Sequence, residues 1–143
     1  MSKSNSAENA LLLLIFNATA YANLAENDAT SPATNLYVSL HTADPGEAGD
    51  QTTSEAAYTG YASVAVARTS GGWTVTANSV SPVADVTFGE CSASPGGAIT
   101  HAAVGVAVSG VGQLLYSGAL STSITMAVGV TPKITTASTL TED

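Results

Sequence analysis

Apolar and polar positions along this chain fall into two textures, with the change near Pro32. Before it lies one dense apolar run, Leu11 to Phe16. Leu13, Phe16, Ala20 and Leu24 recur at helical spacing, as do Leu14 and Tyr21, and the pattern predicts a helix over 7–26. Asn5 or Ser6 is placed to cap the first turn. Glu8, three residues after Asn5, makes an approximate capping box and suits the positive helix end. Asn27-Asp28 and then Thr30-Ser31-Pro32 end it, because asparagine tolerates a left-handed cap and proline cannot continue a helix. A helix this apolar must be covered, by its own sheet or by a neighbouring subunit. Leu12, Ile15 and Phe16 are the residues expected to make that contact.

After Pro32 the period shortens to that of strands. Leu36 to His41 is short and β-prone, and it runs into Ala43-Asp44-Pro45-Gly46, a turn signal. A polar, acidic loop over 43–59 follows, long for an unstructured connection and so a natural contact surface. Ala62 to Arg68 alternates with Val64 and Val66 on one face, and Gly71-Gly72 predicts a hairpin turn into Trp73 to Thr76. Further strand signals are Val83 to Phe88, Ile99 to Val108 (Val104, Val106 and Val108 sharing a face), Leu114 to Gly118, Ser123 to Val130 and Lys133 to Leu140. Strands at this spacing with no helices between them predict a mainly β protein. The expected architecture is an antiparallel β-sandwich or jelly-roll-like single domain over 1–143, with one N-terminal α-helix and a β-rich body over 35–140.

The apolar run is too short to span a bilayer, which takes about 18 to 20 apolar residues. Lys3 before it and Ala20-Tyr21-Ala22 after it imitate a secretory signal, but the run is short and Glu8 sits directly ahead of it.

Charge changes the picture more than hydrophobicity does. Of 143 residues 45% are apolar but only 10% charged, against roughly 25% in typical soluble domains. Ser, Thr, Ala and Gly take their place, giving a surface suited to being covered by partners rather than solvated by ions. Eleven acidic residues oppose Lys3, Arg68 and Lys133, for a net charge of −8. Three scattered cations do not make a nucleic-acid interface, and the same argument disfavours an anionic membrane.

Candidate chemistry is sparse. His41 and His101 match no short metal-ligand spacing, and the lone Cys91 reads as a small buried residue. No Gly-x-Ser-x-Gly turn marks a nucleophile, and the Gly71-Gly72 and Gly96-Gly97 pairs lack the lysine and helix of a phosphate cradle. Asp44, Glu47, Asp50 and Glu55 offer oxygen ligands to calcium without the order of an EF-hand. The expectation is a non-enzymatic protein with no cofactor.

Asn35 to Gly49, Asn-Leu-Tyr-Val-Ser-Leu-His-Thr-Ala-Asp-Pro-Gly-Glu-Ala-Gly, resembles the LYVxLHTADPGEAG signature of small structural proteins of tailed phages and prophages. The likeness continues through Tyr58 to Tyr61 and Val64 to Arg68, and more weakly at Trp73 to Val75, Thr100 to Gly105, Leu114 to Leu120 and Thr139 to Asp143. Ser63 departs from the pattern, standing where arginine is common before the valines. The resemblance implies a virion component, described in that family as head decoration or tail-fibre-like, and brings no catalytic or metal residues.

Two functions follow. The first is a capsid decoration or cement protein, assembled in the host cytoplasm onto the virion, a homotrimer clamping the major capsid protein through the 44–55 loop. The alternative is a tail or tail-fibre component that binds tail proteins or a host-surface glycan, with Tyr58, Tyr61 and Trp73 as the aromatic candidates.

Overall fold

A computed structural model describes residues 3–22, 24–25 and 31–142. Among these, the chain forms one helix, α1 (Asn5–Asn17), and nine strands. The strands are β1 (Asn35–His41), β2 (Val64–Ala67), β3 (Trp73–Thr76), β4 (Ser79–Pro82), β5 (Val86–Thr87), β6 (Ile99–Gly105), β7 (Leu114–Ile124), β8 (Lys133–Ile134) and β9 (Leu140–Thr141). Every strand pair whose register is defined is antiparallel. The class is the one the sequence predicts, mainly β with a single N-terminal helix, consistent with a sandwich and not a barrel.

The chain divides into two compact units, each assembled from separate stretches: 1–35, 66–85 and 135–143 in the first, 36–65 and 86–134 in the second. The first holds α1 and the three-stranded sheet β3-β4-β9. The second holds most of the four-stranded sheet β2-β1-β6-β7 and the small pair β5-β8.

In the first unit α1 begins at Asn5, one of the two residues expected to cap it, and ends at Asn17, well before Glu26. Ser4 is the N-cap, its hydroxyl accepting from Ala7 N at 3.4 Å. Ala18 terminates the helix in the left-handed region at φ 53°, and Thr19 N donates to Leu13 O at 3.1 Å. This is the closure that a helix end makes when its last carbonyls need partners, and the apolar periodicity beyond Phe16 does not override it. Asn23 and Glu26 to Thr30, where the expected helix end lay, fall outside the described residues. Arg68 supplies further donors to the helix end: Nε to Ile15 O at 2.6 Å, with Nη2 bonding Leu14 O. Leu12 and Phe16 have no exposed surface, and the Phe16 ring meets Trp73 edge-on at 4.9 Å. Truncating a buried phenylalanine costs about 3–5 kcal/mol, so this pair anchors the helix to β3.

β3 and β4 form a hairpin over Ala77-Asn78, with Thr76 opposite Ser79 and Ala77 at φ 53°. The expected hairpin at Gly71-Gly72 is instead a local turn, closed by Gly72 N and Trp73 N on Thr69 O, that leads into β3. Pro82 is tolerated in the middle strand because β9 reaches only Ser79 and Val80, so no ladder donor is missing at Pro82 on that side.

In the second unit β1 is central between β2 and β6, and four consecutive residues, Val38 to His41, are buried. Such a run, without alternation, marks a strand covered on both faces. Leu36, Leu40, Tyr58, Val86, Phe88, Cys91, Ile99 and Val104 are buried in this unit. β7 runs continuously through what the sequence divides at Gly118, with register shifts against β6 at both ends. β6 stops at Gly105, so Val106 and Val108 are exposed rather than sharing a buried face with Val104.

Candidate partner-binding surface

The acidic stretch after β1 is ordered by its own side chains. Gly46 N donates to Asp44 Oδ1 at 2.9 Å, and Gly46 takes φ 69°, the turn that Asp-Pro-Gly favours. At Gly49 a Cβ would lie 2.2 Å from Pro45 O, so only glycine closes this turn. Asp50 Oδ1 accepts from Thr52 N at 2.8 Å and Thr52 Oγ1 at 2.6 Å. The Thr52 hydroxyl, and then the Thr52 amide, hold the Asp50 carboxyl below its ordinary range. Asp50 is thereby a turn-former, bridged to Gln113 beside the start of β7.

Gln51, which sequence reasoning passes over, fixes this stretch to the β6–β7 connection. Its side chain is 1% exposed. Nε2 donates to Ala107 O at 2.7 Å and Oε1 accepts from Ala107 N at 2.8 Å, while Gln51 N donates to Gly112 O. A Cβ at Gly105 or at Gly112 would stand 2.4 Å from Gln51 Oε1, so both glycines make room for the carboxamide. Those two glycines flanking a hairpin loop were the available signal.

Glu55 and the tyrosines are equally structural. Tyr61 OH donates to Glu55 Oε1 at 2.9 Å and accepts from Leu40 N at 3.0 Å. Burial, reinforced by the Glu55 charge, pushes the Tyr61 phenol well above its usual range against the pull of the Leu40 amide. Tyr58 is 3% exposed, bonds Gly89 O, and is likewise raised by burial. Tyr61 stacks on Phe88 at 6.2 Å and meets Tyr58 edge-on at 5.4 Å. With Trp73 2% exposed, two of the three aromatics of the glycan reading, Tyr58 and Trp73, are core residues and Tyr61 is half-buried; the aromatic preference for packing wins over display. Leu12 and Phe16, expected at a subunit contact, are likewise core, and Ile15 is half-buried.

The histidines face one another across β1 and β6. His41 is fully buried, with Nδ1 on Thr53 O and Nε2 on Ser39 Oγ, both at 2.9 Å. A carbonyl only accepts, so Nδ1 carries the proton and Ser39 donates to Nε2. Ser39 is itself fully buried, which makes the pair a tie between β1 and the 50–55 turn. Among the described residues no three His, Cys, Asp or Glu side chains are placed to hold one metal ion, so the four loop carboxylates do not gather into a calcium site.

Two candidates remain outward. Asp44 and Glu47 are exposed, and with His101 and six consecutive residues of β7, Leu114 to Ala119, they line an open depression of about 540 Å³. Side chains of a strand alternate between faces, so a depression bordered by six in a row runs along the edge of β7. No described helix is long and apolar enough to cross a membrane.

A family model described as Podophage GP4 fiber I protein gp80 matches residues 2–141 of the chain. No curated protein matches it.

Proposed function

We propose, from the premise that this chain belongs to the podophage GP4 fiber I protein gp80 family, that it is a non-enzymatic fibre subunit of a tailed-phage virion that binds neighbouring tail proteins. The observation that carries the reading is the span of the match, residues 2–141, which takes in both compact units rather than one shared motif. The family makes the chain a phage virion structural protein, and its description supports a fibre more than the capsid cement that charge poverty first suggested. Burial of Tyr58 and Trp73, with Tyr61 half-buried and its hydroxyl bonded to Glu55 and Leu40 N, turns the reading toward protein partners and away from an aromatic sugar platform. Self-association, for which a trimer is the expected form, is read by sedimentation of the purified chain.

The deciding experiment counts copies per purified particle against the major capsid protein and locates them by antibody labelling. A fibre subunit gives a low count tied to the rotational symmetry of the tail, with label at the tail. A count on the order of hundreds, with label over the head, returns the chain to the capsid lattice.

A further inference from the structure

Natural sheets protect their edges. They use lysines, prolines, bulges or a covering loop, because a bare edge pairs with whatever strand comes near. β7 is the last strand of its sheet, with β6 on one side. It is 11 residues long and holds no charged residue and no proline from Leu114 to Ile124. Ser117, Gly118, Ala119, Ser121, Thr122 and Ser123 are exposed. Asp50 bridges Gln113 just before its start, and among the described residues no strand pairs along the outer edge beyond that bridge. The depression described above follows this edge for six residues and is lined as well by Asp44, Gly46, Glu47 and Gly49 of the 44–49 turn and by His101 of β6.

From this geometry we propose that the groove between β7 and the 44–49 turn is a docking site for an extended, lysine- or arginine-bearing segment of another protein, which adds to the sheet as a fifth strand. Main-chain bonds to β7 supply the binding, and the two carboxylates select a basic occupant. A second copy of this chain does not fit that chemistry. Arg68 is committed to the carbonyls of α1, Lys3 is ion-paired to Glu142 at 2.9 Å, and Lys133 lies on β8, already paired opposite Thr87 of β5. At a net charge of −8, a copy brings repulsion to an acidic groove. The proposal rests on the fibre reading only in making the partner another virion protein; strand addition is a property of the chain itself.

The test is amide hydrogen exchange on the full chain with three synthetic hexapeptides. One is a valine-threonine strand flanked by lysines, the second is its glutamate-flanked twin, and the third is the lysine peptide N-methylated at alternate residues. The lysine peptide is expected to slow exchange over Leu114 to Ala119 by about tenfold or more. The glutamate twin lacks the charge and the methylated twin lacks the donors, so both leave exchange unchanged. Glu47→Lys combined with Asp44→Asn, which keeps an acceptor for Gly46 N, abolishes the protection while the melting temperature holds. Equal protection by either twin, protection elsewhere in the chain, or none at all overturns the proposal. Because no particle enters the assay, a chain absent from the tail sinks the fibre reading alone.

Discussion

Gln51→Glu replaces one nitrogen by oxygen at the clamp on Ala107, and its effect depends on pH in a calculable way. In the native clamp the amide donates to Ala107 O at 2.7 Å and accepts from Ala107 N at 2.8 Å. A neutral carboxyl reproduces both bonds, whereas a carboxylate sets an acceptor against the Ala107 carbonyl in a position 1% exposed. Burial and that opposed carbonyl raise the folded-state pKa of the introduced group above its ordinary value of about 4.3. Its contribution is therefore fully present below about pH 4.3 and lost as pH rises through the raised folded value. A trapped carboxylate would cost about 3–5 kcal/mol. The side chain has a cheaper exit, swinging into solvent and forfeiting both bonds and its packing. At about 1 kcal/mol per bond, that caps the loss near 2–3 kcal/mol, the cost expected of Gln51→Ala at any pH. Urea unfolding of the wild type and both variants, each between about pH 4 and pH 7, gives the three curves, and exchange of the Ala107 amide reads the loop directly. Gln51→Glu should lie within about 1 kcal/mol of wild type at the acid end and coincide with Gln51→Ala near neutrality. A cost independent of pH, or no cost from Gln51→Ala, refutes the clamp.

Three further outcomes follow from the same bonds. Tyr61→Phe loses the hydroxyl shared by Glu55 and Leu40 N, and should cost about 1–2 kcal/mol in urea unfolding. In the wild type, the raised Tyr61 phenol contributes stability that is present below its ordinary pKa of 10.0 and lost as pH rises through the folded value, which an alkaline absorbance titration detects as a late-ionising tyrosine, beside the raised Tyr58, that Tyr61→Phe removes. Arg68→Lys keeps the charge but not the fork that reaches Ile15 O and Leu14 O together, so helix signal in circular dichroism should melt earlier, by about 1–2 kcal/mol. The Asp50 carboxyl, held low by the Thr52 hydroxyl and amide, steadies the 50–53 turn above its ordinary pKa of 3.8 and releases it as pH falls through the lower folded value. A carboxyl carbon titration by NMR with a midpoint at or above 3.8 would contradict this.

What the sequence made legible follows from which interactions leave a periodic trace. β1, β2 and β3 stood out because β-branched and aromatic residues there are bounded by strong turn residues. β4 was hidden by Pro82, which usually argues against an inner strand, and by Ala77, which takes a positive φ that glycine normally advertises. β7 read as two strands because Gly118 and the polar run after Leu120 imitate a break, while an exposed edge strand has no buried face to impose alternation. The acidic stretch read as an open loop for a similar reason. A polar side chain turned inward onto a backbone, as Gln51 is, has the same composition as one turned to water. Of the contact candidates, Asp44 and Glu47 are exposed on the groove, and the others carry internal bonds or pack in the core or half in it.

The charge poverty noted first in the composition is most acute in one part of the fold. Between Cys91 and Thr141 the sequence has one formally charged residue, Lys133, and this stretch includes β6, β7 and their connection. The connection displays Val106, Val108 and Val111, the last 81% exposed, directly before the bare edge of β7. In a free monomer such a surface is a liability for aggregation, and this strand carries neither the charge nor the proline that would blunt it. Asp44 and Glu47 instead line the same depression from the 44–49 turn, where, under the strand-addition proposal, they would repel a second copy of the same acidic chain and admit a basic strand. An edge of that kind, open to one class of partner and closed to self-pairing, would let a virion structural protein stay unaggregated until it meets its place in the particle.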